Sequence, residues 1–168
     1  MAIDFQMNKQ KAIESVLWLI QRGESDMYRI WKMLFAAEKY HLNQYGRPIT
    51  GDKYLAMQYG TVPQWLYNVA SEQIGIGFIR YGNTFFAEHP YIRKMFSESD
   101  IEALEKGYNE YVGLSFEEVK TKNHKEPAWE KNWEKRGVLE KVAIPFEDLI
   151  DEVWLKEELE LTSAYTVI

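Results

Sequence analysis

Cysteine is absent from the sequence, which removes disulfides and thiolate chemistry and fits a reducing compartment. Histidine is scarce: His41, His89 and His124 stand far apart, without the spacing that metal ligands share. No apolar run approaches membrane-spanning length, and the N-terminal stretch lacks the basic head and apolar run of a signal peptide. A cytoplasmic protein with no membrane partner is expected. Basic excess is lacking as well. The formal net charge is −6 and the pI is 5.2. Phosphate contacts dominate nucleic-acid affinity, so this balance disfavours a nucleic-acid partner and suits a basic protein better.

Catalytic signatures are missing too. There is no P-loop and no G-x-S-x-G. Gly75-Ile76-Gly77 is not a dinucleotide fingerprint, because Arg80 stands where the third glycine would fall. Carboxylates abound, but no spacing nominates an acid–base pair. No cofactor and no catalytic residue is expected.

What the sequence does hold is apolar and aromatic: 46% hydrophobic residues, with 11 Tyr, 8 Phe and 6 Trp in 168 residues. That composition argues against disorder, and the length suits one domain spanning 1–168 with a core that needs no staples.

Helical periodicity dominates the first third. Ile13, Val16, Leu17 and Ile20 give a helix over Asn8–Arg22, stopped by Gly23. Ser25 or Asp26 caps a second helix reaching Tyr45, with Met27, Ile30, Trp31, Leu34 and Phe35 as its core stripe. At 100° per residue Glu38, His41 and Tyr45 fall on or near that stripe, so polar groups point inward and need partners. Gly46 ends this helix and Arg47-Pro48 forces an extended exit. Ile49–Tyr59 reads as a short buried segment. Gly60 turns the chain, Thr61 caps and Pro63 opens a third helix, and Gly75 closes it.

Gly82-Asn83 between Phe78-Ile79 and Phe85-Phe86 signals a two-residue hairpin. Ser97 and Ser115 begin two further helices, and Pro127 opens a short one bearing Trp129 and Trp133. Pro145 opens the last, with Phe146, Leu149, Ile150, Val153 and Trp154 as its stripe, and 157–168 reads as a polar, mobile tail.

Two constellations carry sharper alternatives. Glu38 and His41 form an E-x-x-H pair on one helix face, the unit of di-iron bundles, but no second such motif exists. The simpler reading is a buried pair tying the helix to the loop that follows, and no metal is expected. Lys120, Lys122, Lys125, Lys131, Lys135 and Arg136 concentrate positive charge beside Trp129 and Trp133. Interleaved Glu117, Glu118, Glu126, Glu130 and Glu134 make them a salt-bridged solvated face rather than a nucleic-acid surface.

Residues 33–67 resemble the Panacea domain. The matching stretches are MLFAAEKYHLNQYGRPI and, after a short gap, YLAMQYGTVPQWLY. The Ser97–Asp100 helix start and His124-Lys125-Glu126-Pro127-Ala128-Trp129 look like the family's second half. Where the family has Y-G-P-V-P, this chain has Tyr59-Gly60-Thr61-Val62-Pro63. The resemblance implies an antitoxin of a type II toxin–antitoxin pair that neutralises a cognate protein toxin by direct binding. The alternative it implies is an adaptor that delivers a toxin to a protease. Glu38, His41, Tyr45, Gly46, Pro48, Tyr59, Gly60, Pro63 and Trp129 are the motif residues expected to determine the fold or support the partner surface. A homo-oligomer stays open.

The expected fold is mainly α: a compact bundle of about six or seven helices with one small β-hairpin insertion between the third and fourth.

Overall fold

The computed structural model describes residues 2–72 and 76–168. The expected end of the third helix, Gly75, lies outside them. The described residues form seven α-helices, five short strands and three 3₁₀ turns.

Capping chemistry fixes most helix boundaries. The Asn8 side chain accepts the Lys11 amide at 3.0 Å and starts α1, Lys9–Arg22. Asp26 accepts the Arg29 amide at 2.9 Å and starts α2, Met27–Tyr45. Gly46 closes α2 in the left-handed region at φ 75, where glycine escapes the Cβ penalty. Reciprocal side-chain and backbone bonds form capping boxes at Ser97 and Ser115. These open α4, Glu98–Tyr111, and α5, Phe116–Asn123.

Helix α2 is the central element. Every residue from Ile30 to Glu38 is buried, so the helix is covered on all sides rather than along one stripe. Its Ile30, Trp31 and Leu34 join a cluster with α1, Leu66, Phe78, Phe85 and Leu104. Its Phe35 and Leu42 join a second with Ile3, Phe5, Tyr54, Ile144 and Phe146. Along α4 the approach is close: a side chain on Gly107 would collide with the Met33 carbonyl and sit 3.1 Å from Ala37 Cβ.

The strands correct the expectation of a single hairpin. Strands β1 (Tyr54–Met57) and β2 (Gly60–Pro63) pair antiparallel, and β1 also pairs with β5 (Lys141–Ile144), Tyr54 opposite Ile144. The resulting sheet has the order β2-β1-β5. The expected hairpin forms a separate sheet from β3 (Phe78–Tyr81) and β4 (Thr84–Ala87).

Pro63 accordingly ends an edge strand, where a missing N–H costs no ladder bond, instead of opening a helix. Asp52, not Thr61, caps α3 (Gln64–Glu72), accepting the Trp65 amide at 3.0 Å and the Leu66 amide at 3.1 Å.

The C-terminal part is also divided differently. Helix α6 spans Pro127–Trp133, with its proline at the start. Phe146–Leu149 form only a 3₁₀ turn. Ile150 and Glu152 are extended, and α7 begins at Val153 and runs to Thr162. Val153 and Trp154 face solvent while Leu155 and Leu159 are buried. Glu157–Thr162, expected in a polar tail, thus belong to a docked helix.

Candidate functional site

The motif residues gather at two places. The first is the corner where α2 ends. The Glu38 carboxylate accepts the amides of Ile49 at 2.8 Å and Thr50 at 2.9 Å, and the Thr50 hydroxyl as well. His41 uses both ring nitrogens: Nδ1 meets the Arg47 carbonyl at 2.6 Å and Nε2 the Ser99 hydroxyl at 2.9 Å. Tyr45 packs on the His41 ring and donates to Glu102. Behind them lies Asp100, wholly buried, 2.7 Å from Lys11 and 3.1 Å from Arg47. Gly46 and buried Pro48 supply the turn that brings Arg47 back over α4.

The electrostatics of this corner are those of a structural clamp. Burial pushes the Glu38 carboxyl up to about 7 against the pull of the Thr50 and Ile49 donors. Burial lowers the His41 pKa despite the Arg47 carbonyl. A metal would need the Glu38 carboxylate and a His41 nitrogen free, and both are spent on hydrogen bonds. Among the described residues no group of three or more His, Cys, Asp or Glu is placed to hold a metal ion.

The second place is a groove of about 730 Å³ between the first half of α2 and the β1–β2 turn, large enough for several side chains. Tyr59 sits at the tip of that turn, 47% exposed, and Phe116 at the start of α5 is 44% exposed. Phe116 lies 4.5 Å from the Tyr28 ring and 5.5 Å from Tyr59. The Tyr28 hydroxyl donates to the Tyr59 carbonyl at 2.6 Å, and burial, then the charge of Glu117, raises its pKa. Asn83 of the β3–β4 turn, Trp133 and Leu139 also line the groove.

The groove also holds a residue that the sequence motifs did not single out. Lys32 is 1% exposed and lines it. Its ammonium stands 4.2 Å over the Tyr28 ring, and burial pushes its pKa down to about 7, with Asp26 opposing. The helical period gives α2 a single stripe that leaves Lys32 out, and only the packing on the helix's other faces buries it.

Gly60 and Trp129 act behind the groove. A side chain on Gly60 would overlap Asn123 Oδ1 and press on Lys32 Cε at 2.9 Å. Trp129 is buried, stacks on His124 at 3.8 Å and donates to the Met57 carbonyl at 2.8 Å. Tyr59 is therefore the motif residue on the groove's exposed wall; Glu38, His41, Tyr45, Gly46 and Pro48 lie at the other corner, and Pro63 ends β2.

The basic segment is largely occupied. Lys120 pairs with Glu117 and Lys131 with Asp148. Lys122 donates to the Glu110 carbonyl, and Arg136 covers Trp133.

These features define a largely helical protein, with no described helix long and apolar enough to cross a membrane, and with an aromatic groove against its central helix. A family model described as antitoxin SocA-like, Panacea domain, matches residues 30–130. That is more than half of the chain, and the chain belongs to this family. The matched span contains both the α2 corner and most of the groove. Comparison with curated proteins and with solved structures returned no match.

Proposed function

We propose that this chain is the antitoxin of a type II toxin–antitoxin pair and neutralises a cognate protein toxin by direct contact. The family match over residues 30–130 carries the reading. The groove between α2 and the β1–β2 turn supports it. Exposed Tyr59 and Phe116 flank a concavity, and aromatic side chains supply contact area at low entropic loss. The motif residues at the α2 corner serve the reading indirectly, by fixing the direction in which the chain leaves α2 and returns as β1.

The test is growth rescue. The reading frame next to this gene is expressed from an inducible promoter, with and without this chain, and colonies are counted. Restored growth supports the proposal. Undiminished toxicity in the presence of soluble antitoxin counts against it. Toxin half-life in the same cells separates masking from delivery to a protease: masking leaves it unchanged or longer, and an adaptor shortens it.

A further inference from the structure

Lys32 is a buried amine whose acidic neighbour, Asp26, favours its charged form without forming an ion pair with it. Among the described residues it makes no ion pair and donates no hydrogen bond; its recorded polar contact is the face of Tyr28. The other buried lysine among the described residues is paired, and so is the arginine nearest the groove. Lys11 meets Asp100 at 2.7 Å and Arg29 meets Glu24 at 2.8 Å. The carboxylates nearest the groove are otherwise placed: Asp26 caps α2, and Glu140 sits on the wall without reaching Lys32. The neighbouring Trp31 Nε1 is also buried without an acceptor. Buried polar groups are ordinarily paired, so an unpaired lysine on the wall of a concavity is placed to receive an acceptor.

We infer that the groove is a docking site for an apolar segment of the partner protein carrying one acidic side chain, whose carboxylate is received by Lys32 between Tyr28, Tyr59 and Phe116. This deepens the antitoxin reading and rests on it. The net charge of −6 sharpens the choice of occupant. A densely acidic patch would be repelled by the chain as a whole. A single carboxylate in apolar surroundings sees mainly the nearest charge, since exposed charges beyond about 10 Å are largely screened. The ring walls fit the apolar flanks, and Tyr28 already shows that the ammonium sits against aromatic faces. Inside the groove a charge-assisted bond from Lys32 is stronger than at an open surface. The burial that lowers the Lys32 pKa would be offset by the incoming carboxylate.

The test uses full-length chain and the purified product of the adjacent reading frame, with affinity read by calorimetry. Lys32→Met keeps the stem and deletes the charge. Binding is expected to weaken at least tenfold while the melting temperature stays equal or rises, opposite movements that a merely structural lysine would not give. In parallel, each exposed Asp and Glu of the partner is changed to its amide, leaving this chain untouched. One such change should weaken binding to the same extent, and should add nothing further when combined with Lys32→Met. Unchanged affinity in both series would overturn the inference while leaving the antitoxin reading intact. A wild-type chain that does not bind the neighbour's product would overturn both. If free glutarate shifts the Lys32 side-chain resonances while the protein complex tolerates Lys32→Met, the site is one for small carboxylates and the inference is again overturned.

Discussion

The Asn123 side-chain oxygen accepts the Thr61 amide at 2.7 Å, through space that exists because residue 60 has no side chain. The same carboxamide donates to the Thr61 hydroxyl at 3.1 Å and to the Tyr111 hydroxyl at 3.2 Å. One residue at the end of α5 thereby holds β2 against α4 and sets the height of the β1–β2 turn over Lys32.

Gly60→Ala is expected to be strongly destabilising. Gly60 has φ 123, where an L side chain is strained, and the new methyl would overlap Asn123 Oδ1. Strain and overlap together should cost about 3 kcal/mol. Urea denaturation measures it. A midpoint equal to wild type would mean that the β1–β2 turn is free to shift.

The clamp at the end of α2 predicts a pH dependence. Glu38 is raised to about 7 and Asp52 to about 6, both chiefly by burial. The folded state therefore keeps protons that the unfolded chain releases, and stability falls as pH rises from about 4.5 through 7. Glu38→Gln should flatten that fall. It should also cost about 1–3 kcal/mol, since the amide nitrogen would turn a donor toward the Ile49 or Thr50 N–H groups. Thermal melts of both proteins from pH 5 to 8 check slope and offset together.

Asp100 acts in the opposite sense. The Lys11 hydrogen bond and the charges of Lys11 and Arg47 hold its carboxyl below the usual range against burial. Its contribution is present above the ordinary carboxylate pKa and is lost only as the pH drops below that range. Asp100→Asn leaves buried Lys11 without its partner, which should cost about 3–5 kcal/mol. Changing Lys11 to Met at the same time should recover part of that loss. A double variant no more stable than the single one would show that Arg47 and His41, rather than Lys11, depend on Asp100.

Local chemistry made much of this legible in the sequence, and long-range pairing hid the rest. Asn8, Asp26, Ser97 and Ser115 start their helices through bonds to amides within a few residues, so their side chains announce themselves. Gly82-Asn83 does the same for the β3–β4 turn. The inward-pointing Glu38 and His41 follow from the period of α2, and both found partners in the loop or on α4. Strand β1 was hidden because its four residues are nearly all buried and show no alternation, and because one of its partners, β5, lies far along the chain. Helix α7 was misplaced because Phe146, Leu149 and Ile150 extend an apolar spacing across a break at 150–152. Lys32 was passed over because its importance lies in what is missing around it, which only packing reveals.

Helix α7 is expected to carry real stability. Leu155 and Leu159 pack into the cluster containing Ile3, Phe5 and Phe146, the Asp4 amide donates to the Ser163 hydroxyl at 3.2 Å, and Asn8 reaches the Ile168 carbonyl at 3.0 Å. The two ends of the chain therefore close over one core. Leu159→Ala should cost about 2–5 kcal/mol, and truncation after Glu152 should cost more, with loss of hydrogen-exchange protection at Phe5 as well as near Ile144. If truncation left the melting temperature unchanged, α7 would be an appendage able to serve as a tether, and delivery of a toxin to a protease would gain the support it now lacks.

Lys32 predicts a stability trend on the alkaline side. Its pKa is about 7 in the folded chain and near 10.4 when exposed, so the unfolded state binds an extra proton between those values. Stability contributed by this group is therefore lowest below pH 7 and rises as the pH climbs toward 10. The groups that face or border the ammonium are Asp26, the cap of α2, Tyr28 on α2, His124 at the end of α5 and Glu140 on the groove wall. Of these Asp26 favours the charged lysine, and Tyr28 is raised by burial, so the phenol stays neutral across most of that window. Lys32→Met should be more stable than wild type at pH 7, with the difference shrinking by pH 9.5. Chemical denaturation of the two proteins at both pH values reads it directly. A constant difference would mean that the lysine keeps its proton throughout and is satisfied by a partner on its own chain, which would also remove the ground for assigning the groove to an incoming carboxylate.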